Sequence, residues 1–260
     1  MPFTLAHPAA VIPLCRRLHY PGAMSALVIG SMAPDFVYWL PLPIYREMSH
    51  RIPALFTFCL PADFSLFLLY HILIKPPILA LLPRAILMRL PQPQPIPWHL
   101  RHIILVLLAV LLGATTHITW DAFTHRDTLV TRLLPFLETP LWTGNGYVLY
   151  LYKLLQHAST LVGFGVLAIF VWRWYQRTPP RDNLGSSGLA AWQKAALATY
   201  LIVPSAIGAI RSGLHRAPWE ASLIALQKFL ISGAVTGIGI FTIVLITLGL
   251  LWPLIERREG

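Results

Sequence analysis

Five stretches of this chain are apolar over the length of a bilayer crossing, and no other feature limits its fold as tightly. They are Pro53–Ile74, Ile103–Phe123, Tyr147–Trp172, Ala191–Gly213 and Leu223–Leu254. A hydrocarbon layer about 30 Å thick is crossed by roughly 20 helical residues. Backbone polar groups in lipid must pair within their own segment, so such runs form helices unless a closed barrel takes them. Composition agrees. Only 12% of residues are charged and 56% are hydrophobic, against roughly 25% charged in a soluble domain. The expected fold is all-α, a multi-spanning membrane helical bundle with about five full spans. The last run is long enough to tilt or to extend past the bilayer.

The first forty residues behave differently. Pro8–Leu18 and Met24–Ala33 are too short to span, and His19-Tyr20-Pro21-Gly22 between them breaks a helix. They predict a short N-terminal helical hairpin, which brings His7 at its start beside Asp35 at its end. Between Ile74 and His102 the chain is rich in proline and basic residues and reads as a loop, with a short interfacial helix at Ile78–Leu90. The polar stretch 176–188 divides a motif-bearing domain, 1–175, from C-terminal membrane helices, 189–260. The start of the chain lacks the basic-then-apolar order of a signal peptide and reads as mature sequence. Cys15 and Cys59 are too few for a disulfide framework.

The net charge of +10 lies in short loops between apolar runs, which points to anionic lipid headgroups and away from nucleic acid. With the hairpin entering and leaving on one side, the opposite loops hold twelve basic residues, from Arg16 and Arg17 to Arg257 and Arg258. The hairpin side holds six: Arg46, Arg51, Arg126, Arg132, Arg211 and Arg216. The basic side is cytoplasmic by the positive-inside rule. The protein is expected in the cell membrane, multi-pass, with the hairpin side facing away from the cytoplasm. Trp98, Trp142, Trp219 and Trp252 fall near predicted span ends, as an aromatic belt would place them.

Polar residues collect on that side. In HITWDAFTH, His117, Asp121 and His125 recur every four residues and so share a helical stripe. Two histidines and a carboxylate suit a divalent metal of hard-to-borderline character, and a hydrogen-bonded stripe facing another helix is the plainer alternative. Asp35 follows Pro34, which breaks the helix before it. His7, His50 in the MSHR loop, and His117 fall on the same side. Ionisable groups at membrane depth are costly unless paired or metal-bound. Asp63 and His125 are candidates for a general base or for orienting a ligand. His71 reads as interfacial or structural. In YKLLQH, Lys153, Gln156 and His157 lie within a span, with His157 able to reach the bundle or pair with Asp63. There is no phosphate loop, nucleophile elbow or CxxC pair.

The order MPFTLAHPAAVIPL, ALVIGSMAPDF, MSHR, HITWDAFTHRD, LYKLLQHAS over residues 1–175 resembles a bacterial membrane family, domain of unknown function family 4184. More distantly it is similar to membrane-bound metal-dependent hydrolases and zinc-dependent phospholipase C. That resemblance implies His7, Asp35, His50, His117 and Asp121 as ligands of a divalent metal, zinc first. It implies hydrolase activity, and a site at the membrane interface would suit a lipid or lipid-linked phosphoester. The chain departs from the phospholipase pattern in lacking a later His-x-x-x-Glu helix, which favours one or two metals over three. A non-catalytic transporter or assembly factor, using the cluster for ion passage or structural metal binding, is the alternative.

Overall fold

The computed structural model describes residues 3–38, 46–92, 94–144, 147–181, 189–217 and 222–256. Trp219, Arg257, Arg258 and most of the polar linker expected at 176–188 lie outside them. The chain forms two compact units. One comprises Met1–Val37, Pro43–Phe67 and Gln92–Thr178, and the other Tyr38–Leu42, Leu68–Pro91 and Pro179–Gly260. The fold is an all-α bundle in which, among the described residues, five helices are long and apolar enough to cross a membrane.

In the first unit the hairpin forms as its turn chemistry predicts. Helix α1 (Pro8–Cys15) begins with proline in its first turn, where a missing N–H costs nothing. Helix α2 (Ala23–Gly30) starts at Gly22, whose φ of 80° only glycine adopts readily. Pro34 lacks an N–H and ends the α2 run, and a 3-10 turn, Ala33–Tyr38, follows. The long helices that contribute to this unit are α3 (Leu55–Leu81, as far as Phe67), α4 (Leu100–Thr124) and α5 (Leu151–Arg177). Hairpin and α4 meet through small residues. A Cβ on Gly30 would stand on the Val110 carbonyl, and one on Gly113 on the Leu27 carbonyl. Ala26, Leu27, Ala109, Val110 and Ala114 are buried beside them. Close backbone approach of this kind is how helices gain packing where lipid offers no hydrophobic driving force.

Three boundaries differ from the sequence expectation. Helix α3 does not stop at Ile74. It continues through Pro76 and Pro77, which sit in the first turn of its last segment, Lys75–Leu81, after a π-helical turn at Tyr70–Ile74. The wider turn lets the Lys75 N–H reach the Tyr70 carbonyl, so the prolines end no ladder that α-bonding requires. The interfacial helix expected at Ile78–Leu90 is thus the end of α3 and a single turn at Arg84–Leu87. Residues Tyr147–Tyr150, expected at the start of a span, form strand β2, paired antiparallel with β1 (Pro140–Gly144), Thr143 opposite Val148.

In the second unit, α6 (Ala191–Arg216) and α7 (Leu223–Glu256) pack through Gly208, Gly213, Gly233 and Gly237. Thr236 donates to the Ser212 hydroxyl at 2.8 Å. Leu201, Leu245, Leu248 and Trp252 form the unit's core with Ile74. Trp252 is therefore a core residue and not part of an aromatic belt, while Trp98 and Trp142 are exposed.

Candidate metal centre

The centre lies within the first unit and is built from four places in the sequence. Asp35 comes from the 3-10 turn after α2, His50 from the segment that follows the short helix Arg46–Ser49, and His117 and Asp121 from α4. One donor atom from each lies within 4.8 Å of every other. His50 Nε2 is 3.3 Å from Asp35 Oδ1 and 3.3 Å from Asp121 Oδ2. His117 Nε2 is 3.7 Å from the same two oxygens. Asp35 and His117 are fully buried and Asp121 nearly so.

Which nitrogen of each ring carries its proton follows from the partners on the far side. His117 Nδ1 lies 2.7 Å from the Ser31 carbonyl, which only accepts, so Nδ1 is the N–H and Nε2 holds the lone pair. Ser49 gives its one hydroxyl proton to the Pro34 carbonyl at 2.8 Å. At its 3.0 Å contact with His50 Nδ1 it therefore accepts, leaving the His50 lone pair on Nε2 as well. Two imidazole lone pairs thus face two carboxylates in a dry pocket. Lone pairs and carboxylate oxygens repel unless a cation stands between them.

His7 flanks the centre. Its ring stacks on His117 with centroids 3.7 Å apart, and its Nε2 is 3.6 Å from Asp121 Oδ1. The hairpin thus joins its two ends as expected: Thr4, three residues before His7, donates to Asp35 Oδ2 at 2.5 Å. Among the described residues, His7 Nε2, Asp35 Oδ1 and His117 Nε2 are buried with no hydrogen-bond partner. Burial holds His7 down at about 3.

His125 does not continue the stripe of α4. The helix ends at Thr124 and His125 is extended, with φ −128° and ψ 150°. Its ring turns back, placing Nδ1 3.0 Å from the Asp121 carbonyl and 3.5 Å from Asp121 Oδ2. Its Nε2 faces the Gln156 amide nitrogen at 3.3 Å. Asp63 is fully buried on α3, its two oxygens without a hydrogen-bond partner among the described residues, and it is not one of the four gathered donors. His157 is exposed; the buried residues of YKLLQH are Tyr152 and Gln156, the latter one position and about 100° round the helix. His71 lies in the second unit, edge-on to Tyr70. Sequence reading did not foresee Thr4, Ser31 and Ser49, because small hydroxyl residues and a main-chain carbonyl carry no distinctive spacing.

Fold and site together define a class, an α-helical bundle of membrane-spanning length with a buried His–Asp group able to hold a metal ion. The chain belongs to the family described as Domain of unknown function (DUF4184), whose model matches residues 1–250, beyond the 175 that the motifs alone covered. No curated protein and no solved structure matches it.

Proposed function

We propose that the protein is a membrane-embedded, metal-dependent hydrolase acting on a lipid or lipid-linked phosphoester. One observation carries the reading: two tautomer-fixed imidazole lone pairs, on His50 and His117, converge with Asp35 and Asp121 on a common point. Two nitrogens and two carboxylates suit a borderline divalent ion, and zinc is the natural first choice. Asp35, His50, His117 and Asp121 would hold it, with His7 beside them. Bound there, such an ion lowers the pKa of a coordinated water toward neutrality and polarises a phosphoryl or acyl oxygen.

The chain's own residues supply orientation. Thr4 fixes one oxygen of Asp35, and Ser31 and Ser49 set the two rings. His50 and His125 are the least buried members of the group, so substrate enters past them. Exposed Met48, Ile52 and Phe56 follow or precede His50 closely in sequence, and Trp120 and Phe123 precede His125. An entrance set among apolar side chains favours an ester carried by a lipid, and membrane lipids are the surrounding partners. The excess of basic residues on the opposite loops supports a centre on the non-cytoplasmic side of the cell membrane.

Elemental analysis of the detergent-purified protein should find a stoichiometric divalent metal. The loaded protein, and not its His117→Ala variant, should cleave members of a panel of phosphoester and acyl-ester lipids. Protein without metal would refute the reading. Metal with no hydrolysis, but with ion flux in proteoliposomes that His117→Ala abolishes, would replace it with a transporter.

A further inference from the structure

Helix α5 supplies none of the four donors, yet two of its successive turns are tied to the centre by two separate chains of hydrogen bonds. The Lys153 ammonium donates to Gln156 Oε1 at 2.7 Å, which fixes which end of the amide faces which way. The amide nitrogen, a donor only, then points at His125 Nε2 at 3.3 Å. With Nε2 accepting, the proton of that ring is on Nδ1, where the Asp121 carbonyl accepts it at 3.0 Å and Asp121 Oδ2 stands 3.5 Å away. The two ends of the His125 ring agree on one tautomer. Gln156 is only 1% exposed, so water does not substitute for its contacts.

The second chain leaves the same residue from its backbone. Thr160 donates its hydroxyl to the Gln156 carbonyl at 3.1 Å, and its oxygen accepts the Phe3 N–H at 3.0 Å. Phe3 precedes Thr4, whose hydroxyl holds Asp35. Both carboxylates of the centre are therefore braced from two successive turns of α5, between Lys153 and Thr160.

We propose that Lys153 and Gln156 are positioning residues of the metal centre, acting through His125 on Asp121, with Thr160 steadying Asp35 through the N-terminal segment. This rests on the metal-holding reading of the centre. The relay makes Gln156 sensitive to chemistry and not only to size. Glutamate in its place keeps the length and the contact to Lys153, but a carboxylate cannot donate to His125 Nε2. The His125 ring must then move its proton to Nε2, turn, or take up a second proton, and each changes the donor or the charge that faces the Asp121 carbonyl and carboxylate.

The test uses the full-length protein in detergent, with Co²⁺ as the probe. Outer partners of metal ligands typically change affinity about 10- to 100-fold, and that loss is expected for Gln156→Glu. It should come with shifted cobalt d–d bands and a melting temperature close to wild type. Lys153→Met leaves Gln156 in place and only unlocks its amide, so it should shift the bands in the same direction by less. His157→Ala, on the exposed face of the same turn, should match wild type. Wild-type protein that binds cobalt, together with Gln156→Glu and Lys153→Met variants of unchanged affinity and spectrum, would overturn this inference alone. Wild-type protein that takes up no cobalt would overturn the metal reading beneath it.

Discussion

Replacing Asp121 by Asn tests the centre at the point where most of its contacts meet. Oδ2 of Asp121 lies 3.3, 3.7 and 3.5 Å from nitrogens of His50, His117 and His125, and Oδ1 lies 3.6 Å from His7. The side chain is 3% exposed, so solvent screens little of this. Asparagine keeps the shape, removes the charge and replaces one oxygen by an NH₂ that cannot ligate a cation. Removing one partner from a buried charged group costs about 3 to 5 kcal/mol. At 1.4 kcal/mol per tenfold, that is roughly two to three and a half orders of magnitude in metal Kd. Competition against a chromogenic chelator measures it directly. Asp127→Asn serves as the control. Asp127 is exposed, pairs loosely with Arg126 at 3.9 Å, and has a positive φ of 61° that asparagine also tolerates. Asp121→Asn with the affinity of Asp127→Asn would refute the argument that this carboxylate holds the ion.

Other outcomes follow from the same geometry. Ser49→Ala removes the acceptor that fixes the His50 tautomer and should weaken metal binding about tenfold, within the range for outer partners of ligands, in the same chelator assay. Gly113→Leu must push α4 from the Leu27 carbonyl. Overpacking of this kind costs about 1 to 3 kcal/mol, so a thermal melt should fall several degrees, and metal affinity should fall with it. Gly165→Leu, where a side chain meets nothing within 4 Å, should do neither. His7 is held at about 3 against an ordinary 6.5. Below pH 6.5 the unfolded chain therefore takes up a proton that the folded one refuses. Stability of the metal-free protein should decline as pH falls from 6.5 toward 3, and His7→Gln should flatten that decline in acid titrations followed by circular dichroism.

The helical bundle was legible because apolar length is a local property, carried by each run on its own. The pairing of His117 with Asp121 was legible for the same reason, since a period of four is fixed by helix geometry. His125 obeyed that period on paper but fell one residue past the end of α4, where the extended backbone redirects its ring. Periodicity could not separate Gln156 from His157, because which face of α5 turns inward depends on its neighbours. Pro76 and Pro77 read as breakers because a π turn that absorbs them leaves no mark in composition. The β1–β2 ribbon was hidden by its own residues: Tyr147, Val148, Leu149 and Tyr150 are as apolar as the span they precede.

The acceptor that sets the His117 ring belongs to the main chain. The last carbonyls of any helix lack a partner within it, and at the end of α2 one of these, on Ser31, is given to His117. A bond to peptide oxygen does not depend on the side-chain chemistry at position 31, so a replacement small enough for that buried place leaves the tautomer of this histidine as it is. It is not insulated from movement. A slide of α2 along α4 would lengthen that bond and carry Asp35 with it, making the chemistry of the centre a reporter of how these two helices sit against each other.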